Sequence, residues 1–201
     1  MLIRPFAEKD LDALYAISVA TGLSGSDASH LYADPRMLGH IYAAPYALLE
    51  TGLTLVAEED DGVVGYVVGV VDTRSWERRL EREWWPSLRR QYANPEGIPP
   101  ADWTEDQRRA DMIHNPKSTP AAVAEAYPSH LHLNLLSTAQ GLGVGTKLFQ
   151  AWLGIGRRRG AAGMHVGVNP ANTRGARFWE KQGFKALGGV AAERTLWMGR
   201  P

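Results

Sequence analysis

The chain has 201 residues, 44% of them apolar, and its 22 basic side chains balance 22 acidic ones. That is enough for one buried core, so a single domain carrying at most a large insertion is expected. Zero net charge argues against a nucleic-acid or anionic-membrane partner, and the lack of cysteine excludes disulfides, thiolate metal sites and a cysteine-acyl intermediate. The opening MLIRPFAEKD lacks the apolar stretch of a signal peptide, and the longest apolar run, Val63 to Val71, is too short to span a bilayer. A cytoplasmic protein is expected.

Leu2 to Arg4 reads as a first strand, and Lys9 to Ala20 as a helix with Leu11, Leu14, Tyr15 and Ile17 at helical spacing. A Gly/Ser-rich loop spans Gly22 to Ser29. Pro35 to Leu49 is mostly helical with an interruption at Pro45. Leu53 to Glu58 is a strand, Asp60-Asp61-Gly62 a hairpin turn, and Val63 to Asp72 its partner. The pattern then changes. Residues 73–126 concentrate charge and tryptophan, with helices predicted over Ser75 to Tyr92, broken near Pro86, and from the capping box of Thr104 and Gln107 to His114. Too few apolar residues lie here for a separate core, so the segment is read as a helical insertion on the main sheet. Strands return at Ser129 to Leu136. A helix over Val144 to Arg158 places Val144, Leu148, Trp152 and Ile155 on one face. Met164 to Val168 is a strand, Thr173 to Gln182 a helix stopped by Gly183, and Phe184 to Leu187 and Arg194 to Met198 are closing strands.

The most informative segment runs from His130 to Thr146, HLHLNLLSTAQGLGVGT. A strand ends, glycines turn the chain, and a helix begins. Unpaired amides at such a junction, added to the helix dipole, form an anion cradle. Gly141, Gly143 and Gly145 let the backbone approach a phosphate closely. The spacing is neither the dinucleotide fingerprint nor a Walker A loop.

Gln140-x-x-Gly143-x-Gly145 resembles the pyrophosphate motif of the GCN5-related N-acetyltransferases. Asn172-Thr-Arg-Gly-Ala-Arg-Phe178-Trp179-Glu-Lys-Gln-Gly183-Phe184 is similar to that family's second cofactor segment. The runs LYADPRMLGHIYAAPY, GVVGYVVGVVDT and AYPSHLHLNLL resemble the acetyltransferase-like domain of O-GlcNAc hydrolases and its free-standing bacterial relatives. The resemblance implies an α/β (α+β) fold: a mixed, mostly antiparallel sheet with helices on both faces, splayed where strands 130–136 and 164–168 diverge, with the insertion at about 73–126 between the third and fourth strands. It implies acetyl transfer from acetyl-CoA to a primary amine, on a small molecule or a protein lysine, without a covalent enzyme intermediate. The alternative is a noncatalytic acetyl-CoA-binding or protein-interaction module. No metal is expected, and a homodimer is left open.

The same resemblance assigns roles. The backbone of Leu135, Leu136 and Ser137 pairs with the pantetheine arm, and preorganised amides near Leu135 polarise the thioester carbonyl. Gln140, Gly141, Leu142, Gly143, Val144, Gly145 and Thr146 hold the pyrophosphate. Asn172 hydrogen-bonds the arm, Phe178 and Trp179 line the channel, and Lys147 or Lys181 meets the ribose phosphate. Where relatives often carry a tyrosine acid, this chain has Trp179, which leaves Tyr127 and Tyr66 as substitutes. His130 and His132 alternate with leucines and project from one strand face. His132 is the expected general base, with an unperturbed pKa of about 6.5, followed by His130 and Asp72. His30 and His40 show no partner, and Asp111 and His114 belong to the insertion.

Overall fold

The computed structural model describes residues 1–189 and 195–201. The expected strand start at Arg194 lies outside them. Among the described residues, seven strands form one sheet in the order β1-β2-β3-β4-β5-β7-β6. They are β1 Leu2–Pro5, β2 Leu55–Glu59, β3 Gly62–Val70, β4 Ser129–Leu135, β5 Met164–Val168, β6 Lys185–Ala186 and β7 Leu196–Arg200. Only β4 and β5 run parallel, and they pair at just Ser129↔Met164 and His130↔His165. All other neighbours are antiparallel. The expected mixed, splayed sheet is what forms.

Helices cover both faces. On one side lie α1 Leu11–Ala20, α2 Met37–Tyr42 and α3 Ala44–Leu49, joined by the insertion helices α4 Thr73–Glu83, α5 Trp85–Gln91, α6 Glu105–His114 and α7 Ala121–Ala126. The interruption at Pro45 and the break near Pro86 both appear, each proline standing in the first turn of the later helix. The Thr104–Gln107 capping box forms with both of its bonds. The short helix α7 carries no capping side chain and only one turn of apolar periodicity, so the sequence did not disclose it. The insertion packs on the sheet: Trp76, Leu80, Trp85 and Ile113 share a core with Tyr46, Tyr66 and Val68. Hydrogen bonds fasten it to the N-terminal segment, among them Trp84 Nε1 to the His40 carbonyl at 2.8 Å, Tyr92 Oη to Asp34 at 2.6 Å and Arg79 Nη1 to the Leu49 carbonyl at 2.8 Å.

The other face is closed by α8 Val144–Arg158 and α9 Thr173–Lys181. Val144, Leu148, Phe149, Trp152 and Leu153 give α8 a buried stripe against Val67, Leu131, Met164 and Met198. Each such side chain contributes about 1.5–3 kcal/mol by leaving water. Trp152 also donates its indole N–H to the Leu53 carbonyl at 3.0 Å, so the aromatic body is buried without an orphaned donor. Gly183 stops α9 at φ 87°, a backbone conformation that glycine adopts without strain.

One ion-pair network ties the edge of the sheet to α1. Arg4 bridges Asp10 at 2.6 Å and Glu58 at 2.7 Å, and Asp10 is 4% exposed. The guanidinium holds the Asp10 carboxyl below its ordinary range. Arg4→Met should cost about 2–3 kcal/mol in urea unfolding, because it leaves a buried carboxylate without its partner. The double variant Arg4→Met/Asp10→Asn should recover part of that loss.

Candidate active site between the splayed strands

The two edges of β4 serve different neighbours. The Ser129 amide donates to Gly163 on the β5 side at 3.0 Å, and the Leu136 amide donates to Val64 on the β3 side at 2.9 Å. Backbone groups alternate edges along an extended strand, so the odd-numbered residues address β5. Since β5 pairs only with Ser129 and His130, the amides of Leu133 and Leu135 point into an open gap. This corrects one expectation. Leu136 has its amide committed to β3, and Ser137 opens a 3-10 turn, Ser137–Ala139, so the free edge lies at Leu133 and Leu135. Gln140 folds back, its side-chain amide donating to the Leu135 carbonyl at 2.7 Å.

The gap leads to the start of α8. Gly141 and Gly143 hold φ of 78° and 79°, which disfavours any residue with a Cβ. Gly143 is the N-cap and no side chain closes this end of the helix, whereas Asp72, Thr104 and Asn172 cap α4, α6 and α9. The first-turn amides of Val144, Gly145 and Thr146 therefore lack intrahelical acceptors at the positive end of a 15-residue helix. A Cβ at Gly143 would meet nothing within 4 Å, while one at Gly145 would lie 3.1 Å from Phe178 and 3.3 Å from Leu135. The first glycine keeps the cradle open, and the second lets α8 sit against Phe178. Leu142 at the tip is 65% exposed. Thr146 Oγ1 accepts from Gln182 at 3.2 Å.

Three downstream residues divide their work. Asn172 caps α9, its Oδ1 accepting from the Gly175 amide at 2.8 Å. Phe178 is half-buried beside Gly145. Trp179 is a core residue, packed edge-on against Phe149, Phe178 and Phe184 with ring centroids 5.7, 4.9 and 5.0 Å away. The position at which relatives often carry a tyrosine acid is thus filled by a buried indole. The tyrosine substitutes fare no better. Tyr66 is fully buried with its hydroxyl on Ser18 at 2.9 Å, and burial pushes that phenol up. The Tyr127 ring lies against Gly163 and Gly199, and its carbonyl binds His165 Nδ1 at 2.6 Å.

On the opposite face of β4 the histidines meet partners that are remote in sequence. Tyr46 Oη lies 2.7 Å from His130 Nε2 and 3.2 Å from His132 Nε2. His130 Nδ1 lies 2.7 Å from Thr73 Oγ1, which donates to the Pro128 carbonyl at 2.7 Å. His165 stands 5.4 Å from the His130 ring. Burial, with a smaller push from His165, lowers His132 to about 4. Burial also holds His130 well below its ordinary value. The ordinary histidine pKa expected for the base is corrected accordingly, because among the described residues no carboxylate offsets the desolvation. Asp72 is corrected as a candidate base. It is an exposed helix cap accepting from the Ser75 amide at 2.6 Å, a contact that lowers its pKa, and it lies beyond the Val70 end of β3, away from the glycine turn. His40, without a visible partner in the sequence, binds Tyr15 at 3.0 Å. His114 binds the Tyr92 carbonyl at 2.7 Å. Among the described residues no three acidic or imidazole groups could share a metal ion.

The chain matches the Acetyltransferase (GNAT) family over residues 23–184. It belongs to that family. It is 32% identical to SsHAT, whose crystal structure superposes with a TM-score of 0.91 over 99% of this chain and 96% of that one. It is also similar to Protein O-GlcNAcase of Rattus norvegicus, at 22% identity over 182 residues; these make up 90% of this chain and 20% of the relative, so the chain spans about a fifth of its length. Naa20 of Chaetomium thermophilum in complex with a bisubstrate analogue shares the fold at a TM-score of 0.57 and 14% identity, over 100% of this chain and 86% of that one. Acetyl transfer is the GNAT activity, and the uncapped α8 with its positive-φ glycines fits a pyrophosphate-bearing donor.

Two outcomes follow from this GNAT site. Gly143→Asn keeps a residue that tolerates the left-handed region but fills the cradle. It should leave the thermal midpoint within a few degrees of the wild type and weaken acetyl-CoA binding by about tenfold or more in calorimetry. Stability should also fall with acid. Unfolded His132 takes up a proton near pH 6.5, while the folded residue resists until about 4. The contribution is complete above 6.5 and is lost as pH falls toward 4, about 3 kcal/mol for this one residue. Urea unfolding at successive pH values measures it, and His132→Gln should flatten the slope.

Proposed function

We propose that the chain transfers an acetyl group from acetyl-CoA directly to a primary amine, with His132 as general base. The observation that carries the reading is the divergence of β4 from β5 beyond His130, with the α8 cradle following one end of the free edge and His132 on the same strand. Acetyl-CoA supplies an activated acyl carbon. Leu133 and Leu135 offer free backbone amides to the donor's arm, and the first turn of α8 offers amides to its pyrophosphate. The amine lone pair attacks the carbonyl, the carbon–sulfur bond breaks, and the proton lost by nitrogen passes to His132, directly or through one water. A lysine-like amine has a pKa of about 10.4, so an acceptor for that proton is needed at neutral pH. With no ionisable group at Trp179, solvent protonates the departing thiolate. The insertion, packed on the His132 face through α4 and α6, shapes the choice of acceptor.

A noncatalytic acetyl-CoA-binding module is the second reading, favoured by the buried Trp179. Free-CoA release over a panel of amines, beside calorimetry with acetyl-CoA, separates the two. Turnover on any amine supports the enzyme, and binding with no turnover supports the module. His132→Ala should lower kcat by about 100- to 10,000-fold with acetyl-CoA affinity little changed. Because His132 is neutral above about pH 4, its acidic limb should lie near that value, and the variant should lose it. Near-normal turnover in His132→Ala would place the base elsewhere.

A further inference from the structure

Four side chains from three separate stretches of sequence form one hydrogen-bonded row: Thr73, His130, Tyr46 and His132. The direction of every bond in the row follows from its end. The Pro128 carbonyl carries no proton, so at 2.7 Å the Thr73 hydroxyl must donate to it. Its single hydrogen is then spent, and the oxygen can only accept from His130 Nδ1, which therefore carries a proton. A neutral imidazole has one N–H, so His130 Nε2 is a lone pair, and it accepts from Tyr46 Oη at 2.7 Å. The phenol hydrogen is spent in turn. His132 Nε2, 3.2 Å from the same oxygen, must be the donor. The Nδ1 of His132 is left bare.

We infer that Tyr46, fixed by His130 and Thr73, is a positioning residue that holds His132 in the Nε2–H tautomer and keeps Nδ1 free to accept the acceptor amine's proton. The proposal rests on the reading of His132 as base. Other groups around the row agree with it. The Trp76 indole, whose ring lies 4.6 Å from that of Tyr46, can only donate and forms no hydrogen bond of its own, so it takes no hydrogen from the row. Tyr42 packs edge-on to His132 at 5.7 Å, and His165 spends its own Nδ1–H on the Tyr127 carbonyl. No carboxylate takes part in the row, so nothing competes for the proton on His132 Nε2. Since the row ends on a backbone carbonyl, it orients the base without giving the proton an exit. The proton leaves through His132 Nδ1, the side by which it arrived.

Nitrogen-15 spectra of the histidine-labelled full chain at neutral pH read the tautomer directly. His132 should show a protonated Nε2 and a bare Nδ1. Tyr46→Phe removes the acceptor and should leave His132 in both tautomers, with kcat reduced about 10- to 100-fold, part of what a positioned base contributes, and KM for acetyl-CoA changed less than about twofold. Thr73→Val should do the same from the far end of the row, and Thr73→Ser should restore both readouts. A proton on His132 Nδ1 in the wild type overturns the proposal, as does an unchanged tautomer in both Tyr46→Phe and Thr73→Val. The spectra need no turnover. If His132→Ala proves fully active while the wild-type tautomer is as stated, the base assignment fails and the row stands.

Discussion

β4 is held fully on one edge and barely on the other. Along β3 it is paired from His130 to Leu135, and along β5 only at Ser129 and His130. An unpaired backbone amide is costly unless water or a ligand satisfies it, so a strand freed on one edge in mid-sheet is either a defect or a binding edge. Here its free length runs to the uncapped start of α8, a second set of unpaired amides. The two features together turn the interior of the sheet into a site for a long ligand with an anionic end. The faces of the same strand are also unlike. Leu131 enters the apolar core beneath α8, and His130 turns to the polar row beneath α3 and α4. One strand thereby presents an open edge, a core face and a buried polar face.

Much of this was legible in the residues because it is local. Glycine spacing, the Asn172 cap and the 3.6-residue stripe of α8 each lie within a few residues, and the structure places the turn and both helices where the pattern puts them. The splay was legible only through resemblance, since no local rule says which strands part. Tyr46 and Thr73 were missed. Their contacts with the histidines span 57 to 86 residues, and nothing in APYALL distinguishes a core tyrosine from one that binds imidazole. Asp72 was misjudged for the opposite reason. An acid after a strand and three residues before an amide at Ser75 is a helix-capping pattern, and it was weighed for chemistry instead. Trp179 shows the limit of motif transfer: the spacing matches, but an indole in that place is drawn into the core by Phe149 and Phe184.

The histidine pair also shows how burial can set a reactivity that side-chain identity does not. His132 has an ordinary imidazole, but burial, with a smaller push from His165, disfavours its charged form. The residue is therefore neutral across the physiological range. Its basicity is weaker than that of a solvated histidine, and geometry has to supply what driving force does not.

Thr73 is both the first residue of α4 and the far end of the row that reaches His132. The helical insertion is thus more than a cover laid over a finished enzyme. A descendant that deleted the segment would lose the hydroxyl that gives the row its direction, and His132 with it would lose a fixed orientation. The insertion and the buried histidines are thus joined through one hydroxyl, that of Thr73.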